Sequence, residues 1–233
     1  MTIFTRALLA TTLALSLPAA ANAQSVTIGS DVATNRAVTI SAFDPIGQSF
    51  TAQTDTLTSF GFEFTSLNPS ASNAPLTFSL FAGETLTGTS LFTSTFTLPA
   101  TINARTVEQF FDIALPNLTV VRGSLYTGVL TASSDRAALL VGPGLNVQTG
   151  VFTGGDAYTG GRLLGTPAPY ANCTGAANNC DANFRVTGSI VSAAVPEPST
   201  WIMLMLGFAA VGLSMRRPKP AQRRVRFLAS VKG

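Results

Sequence analysis

Leu57-Thr-Ser-Phe60-Gly-Phe62-Glu-Phe64 sets three phenylalanines at a spacing of two. Successive side chains of a strand point to opposite faces. This spacing therefore puts Phe60, Phe62 and Phe64 on one side, with Gly61 and Glu63 on the other. A strand with such a face must bury it, and the same alternation recurs along the chain. Leu76, Phe78 and Leu80 repeat it, Phe92, Ser94, Phe96 and Leu98 follow less cleanly, and Val107, Gln109, Phe111 and Ile113 continue it. Gly47-Gln-Ser-Phe-Thr-Ala52 predicts an earlier short strand. Residues 125–131 and 137–141 are near-continuous β-type runs that suit central strands. The last strand is predicted over 183–190, with Phe184, Val186 and Ile190 inward. Asn68-Pro69-Ser70 and Asn73-Ala-Pro75 punctuate a loop, and the glycine-rich residues 142–182 read as long connections with at most short strands. Thr, Ser, Phe and Gly are abundant, charge is sparse, and no amphipathic helix is visible. Eight or more short strands separated by turns predict an all-β domain, a jelly-roll-like β-sandwich.

The two ends of the chain follow other rules. Residues 1–23 read as a secretory signal peptide: Arg6, an apolar stretch over 7–17, Pro18, then small residues up to Ala21-Asn22-Ala23. Cleavage between Ala23 and Gln24 leaves a β-sandwich domain over 24–191. Residues 192–200 form a linker containing Pro196-Glu197-Pro198, 201–215 an uncharged apolar helix, and 216–233 a basic tail. Fifteen helical residues rise only ~22 Å, short of a ~30 Å hydrocarbon core, and counting from Val195 brings the segment near ~20 residues. Pro196 and Pro198 cannot join a helix interior, so the helix is predicted to begin at or after Pro198 with Ser199 or Thr200 as cap. Trp201 suits the membrane interface, and the basic residues from Arg216 and Arg217 onward place the tail in the cytoplasm. The expectation is one transmembrane helix.

Composition narrows the chemistry. The net charge of +3 belongs to the termini: residues 24–191 carry ten acids, six arginines and no lysine. Such a domain has no electrostatic footprint for nucleic acid. The chain has no histidine, which removes Ser-His-Asp, Cys-His and HExxH constellations. Both lysines, Lys219 and Lys232, lie in the tail, so Schiff-base and Ser-Lys chemistry is absent from the domain. No GxSxG or phosphate-cradling motif occurs, and the scattered carboxylates read as surface charges. No catalytic, cofactor-binding or metal-binding residue is assigned; Asp156 and Asp181 are conceivable calcium ligands, without a ligand-spaced cluster around them. Cys173 and Cys180 enclose CTGAANNC and predict a local disulfide in an oxidising compartment.

Pro196-Glu197-Pro198, Trp201, a short apolar helix and Arg216-Arg217 resemble the PEP-CTERM sorting signal of Gram-negative bacteria, in the variant with Trp three positions after the second proline. The resemblance covers roughly residues 195–217. It implies processing by an exosortase, a membrane-embedded cysteine protease or transpeptidase that removes the tail at or near the tripeptide. It also implies transient anchoring in the inner membrane and final placement at the cell surface or outside the cell. The chain continues past the arginines to Gly233, further than such signals usually run. Residues 40–190 loosely resemble the non-catalytic β-sandwich domains often found before these signals. The leading expectation is a structural or adhesive surface or matrix protein, not an enzyme. The alternative is a polysaccharide-binding module associated with exopolysaccharide, for which Tyr158 and Tyr170, in the glycine-rich loops, are the candidate contacts. A permanently anchored periplasmic protein is a third reading.

Overall fold

A computed structural model describes residues 23–33, 36–142, 144–146, 151–153, 156–167, 180–191 and 198–216. Residues Ala23–Ser192 form one compact unit; the chain on either side belongs to a second. In order the strands are β1 (Ala23–Ser30), β2 (Ala37–Thr39), β3 (Ile46–Thr51), β4 (Thr56–Ser66), β5 (Leu76–Ala82), β6 (Phe92–Phe96) and β7 (Gln109–Thr119). They continue with β8 (Leu125–Ala132), β9 (Ala137–Gly142), β10 (Gly144–Asn146), β11 (Val151–Thr153), β12 (Leu163–Gly165), β13 (Asp181–Ala182) and β14 (Phe184–Val191). A single 3-10 turn, Ile40–Phe43, interrupts the strands of this unit as described.

Five strands make one sheet, in the order β12-β3-β8-β5-β6. A seven-stranded sheet runs β1-β14-β4-β9-β13, with β7 on the other side of β4 and β2 on β9. β10 and β11 form a separate two-stranded ribbon. Every pairing is antiparallel. The larger two sheets meet face to face through the alternating aromatics. Phe60, Phe62 and Phe64 of β4 are all fully buried. The Phe60 ring lies 5.2 Å from Phe78 of β5 and 5.5 Å from Phe50 of β3, while Phe184 of β14 stands 6.0 Å away on its own sheet. Each ring buries a large apolar area, and these offset and edge-on pairs add to that burial. Gly128 of β8 completes the packing, since a Cβ there would lie 2.6 Å from the Phe60 ring. The all-β expectation and its two packed sheets hold.

β9 is buried along its whole length and β8 over 126–130, as central strands must be. Three features differ from the pattern read off the sequence. β1 and β2 were not foreseen, because Val26 and Ile28 are the only apolar alternation in β1 and β2 has three residues. β7 begins at Gln109 rather than Val107 and runs on to Thr119 across Pro116. Proline removes a ladder donor, but among the described residues β7 pairs with β4 alone, so its other side needs no donor there. The register slips opposite Leu57 and Ser59, where Asn117 has φ 49°, and this bulge accommodates the proline.

The second unit contains one described helix, α1 (Pro198–Met215). It begins at Pro198, where the fixed φ of proline suits a first helical position. All side chains from Trp201 to Met215 are exposed and the apolar residues surround the helix axis. No helix among the described residues is long and apolar enough to cross a membrane, so α1 is not shown to be transmembrane. Eighteen residues rise ~27 Å against a ~30 Å core.

Candidate functional site

Two places hold the residues singled out above: the C-terminal segment, and the segment 156–163 where it returns to β3. In the first, Pro198 opens α1, Trp201 is 56% exposed in its first turns, and the Arg216 N–H caps the end by donating to the Leu213 carbonyl at 3.2 Å. Pro196, Glu197 and Arg217 lie outside the described residues. At the other end of the chain, Ala23 and Gln24 begin β1 and pair with Val191 and Ile190 of β14. The expected cleavage point and the exit to the sorting segment are therefore strand neighbours.

The second place is built from four elements. Gln48 of β3 is fully buried and spans the gap to β13: its Nε2 donates to Asp181 Oδ1 at 2.7 Å, and its Oε1 accepts from the Ala182 N–H at 2.9 Å. The amide thus pairs with β13 much as a strand backbone would. Asp181 Oδ2 accepts from the Tyr158 N–H at 2.9 Å, and Asp156 Oδ1 accepts from the same N–H at 3.1 Å. Two carboxylates converging on one donor cannot both ionise cheaply. Burial first, then its neighbour Asp156, pushes the Asp181 carboxyl up to about 8 against the opposing bonds from Gln48 and Tyr158. Near neutral pH the Asp181 carboxyl therefore favours its protonated form.

Tyr158 is half-buried. Its ring stands edge-on to Phe184 at 5.1 Å, and its hydroxyl accepts from the Thr51 N–H at 3.3 Å. Burial raises its pKa. The ring is thus engaged on one side by the sandwich core. Beside it, Arg162 Nε donates to Glu84 Oε1 at 2.8 Å, and the Arg162 N–H donates to Ser49 Oγ at 2.9 Å. Thr51, Glu84, Asp156, Thr159 and Arg162, with Leu125 and Gly160-Gly161, line a polar groove of about 450 Å³.

Cys180 is buried and disulfide-bonded, and its carbonyl accepts from the Leu163 N–H at 2.7 Å. Cys173 and Tyr170 lie outside the described residues. Asp156 and Asp181, named separately from the sequence, are brought together by the return of 156–163 to β3 and β13. Among the described residues no group of three or more His, Cys, Asp or Glu side chains is placed to hold a metal. Gln48, Glu84 and Arg162 carry no site role in the sequence reading, since each works through a partner dozens of residues away.

Residues 194–217 match the model of the PEP-CTERM protein-sorting motif. No protein of curated function matches the chain. The match covers the tripeptide, α1 and the first arginines. It supports handling of the chain as an exosortase substrate and implies transit through the membrane.

Proposed function

From that motif we propose that this chain is a surface or extracellular-matrix protein with a structural or adhesive role and no catalysis of its own. A signal peptide over 1–23 directs export. α1 then holds the chain in the inner membrane, with the basic tail on the cytoplasmic side, until an exosortase removes the tail near Pro196-Glu197-Pro198. The observation that carries this reading is the motif at 194–217, directly after a compact β unit that ends at Ser192. The absence of histidine anywhere, and of lysine before residue 219, supports a non-enzymatic role. The strand orders β1-β14-β4-β7 and β3-β8-β5-β6, each sheet alternating early and late strands, support a jelly roll.

Replacing both Pro196 and Pro198 by alanine tests the sorting claim. The expected outcome is retention in the membrane fraction with the tail intact by mass spectrometry, while the wild-type chain is tail-less and outside. Identical fates for both chains would overturn it.

The polar groove favours the second reading, a polysaccharide-binding module, because exposed carboxylate and hydroxyl groups suit sugar hydroxyls. Thr159→Ala changes an exposed groove side chain, and Asp156→Asn removes a groove carboxylate while keeping an oxygen for the Tyr158 N–H. Glycan binding lost in both, with the fold intact, would favour this reading; no binding by the wild-type chain would remove it. Tyr158→Ala is a poor probe, since it also removes a ring that packs on Phe184.

A further inference from the structure

We propose that Gln24, once it heads the exported chain, cyclises to pyroglutamate and seals the end of β1. The inference rests on the signal-peptide reading, since it needs cleavage between Ala23 and Gln24. That cleavage removes Ala23 and its pairing with Val191, and leaves β1 as residues 24–30. The first residue of the chain then lies inside the sheet, opposite Ile190, with no overhang before it.

The reaction needs only the groups of one residue. The new α-amino group has an ordinary pKa of about 8, so part of it is neutral and nucleophilic near pH 7. Its nitrogen attacks Cδ of the Gln24 side chain and closes a lactam ring. The N–Cδ bond forms, the Cδ–Nε2 bond breaks, and Nε2 departs as ammonia with one of the amine protons. No oxidant, reductant or second substrate takes part, and the shared residue supplies the proximity.

The structure leaves these groups accessible. Gln24 is exposed, and among the described residues its amide has no hydrogen-bond partner. Gln48 is the opposite case, its amide buried and held by Asp181 and Ala182. The ring also suits its place. As in proline, ring closure puts carbon where a strand residue carries its N–H, and a sheet tolerates that loss at the first residue of a strand. Behind it, every rung from Gln24 to Ser30 pairs with β14 without a slip, and Val26 and Ile28 are half-buried. Trimming from a free amino end would remove these rungs one by one. A lactam offers an aminopeptidase no free amine, and it carries no terminal charge.

The test uses the full chain exported from its host, with free amines labelled before digestion so that no ring forms during handling. The expected N-terminal peptide begins at residue 24, is lighter than the free glutamine form by one ammonia, and carries no label. A labelled peptide of unshifted mass beginning at Gln24 overturns the proposal and leaves the signal peptide standing. A peptide beginning at any other residue overturns both. Gln24→Ala changes one exposed side chain and cannot close the ring. It should take the label and lose its first residues to an aminopeptidase that leaves the wild-type chain intact. Equal trimming of the two chains, or trimming of neither, overturns the sealing role.

Discussion

Asp181 is the residue whose surroundings depart furthest from what its type prefers. A carboxyl group fully out of solvent, beside a second carboxylate, binds a proton more tightly folded than unfolded. Its folded pKa, about 8, lies above the usual 3.8, so the stability it contributes is complete in acid and is lost as pH rises through the folded value. The unfolding free energy should therefore fall between about pH 4 and pH 8, by up to ~1.4 kcal/mol per pH unit, and level off above, as read by chemical denaturation. Asp181→Asn should remove most of that slope. The smaller remainder belongs to Glu63 and Asp44, both raised chiefly by burial. A slope unchanged in Asp181→Asn would contradict the paired-carboxyl geometry. At Gly128 the constraint is space. Gly128→Ala should cost ~1–3 kcal/mol in chemical denaturation, because its methyl must displace Phe60 from the middle of the core. Phe60 was legible in the sequence as an inward ring. Gly128 was not, since nothing local in Leu125-Tyr-Thr-Gly128-Val shows that the opposite sheet presses there.

Among the elements, β4 is the strand the alternation describes best, and it is also the hub of its sheet, flanked by β7 on one side and by β14 and β9 on the other. Over its outer face, Asp112 of β7 binds Arg185 of β14 across Gly61, which has no side chain to intervene. Arg185 also lies over the Phe110 ring at 4.5 Å. The pair is about two-fifths exposed at each end, so Asp112→Asn should lower stability by less than ~1 kcal/mol. A loss several times larger would mean the strap orders the sheet. α1 poses the opposite case, an element with every apolar side chain exposed. If it inserts as proposed, Leu206→Arg at its middle should shift the unprocessed chain out of the membrane fraction, since a central arginine costs ~2.5–3.5 kcal/mol. An unshifted distribution would speak against insertion.

Across the whole β unit, both large sheets draw on one core, in which Phe50, Phe78 and Phe184 all meet Phe60. Unfolding should accordingly be a single cooperative transition, coincident by fluorescence and circular dichroism. Strand partners are far apart in sequence, as with β1 and β14 or β3 and β12. Such non-local pairing should make refolding slow, in the millisecond to second range by stopped flow. Two separable transitions would show that the sheets do not share their core.

The sequence by itself determined the strands with strong alternation, the inward phenylalanines and the sorting segment, because side-chain period, proline and charge clusters act over a few residues and stay visible in the string. Only the tertiary structure decided that β1 closes an edge beside the last strand, that Tyr158 turns its ring to Phe184, and that Asp156 meets Asp181 over Gln48 of β3. Each of those depends on a contact between segments more than a hundred residues apart, or on the return of 156–163 to the sheet. Local preference carries no record of such meetings, which the burial of two sheets against each other imposes.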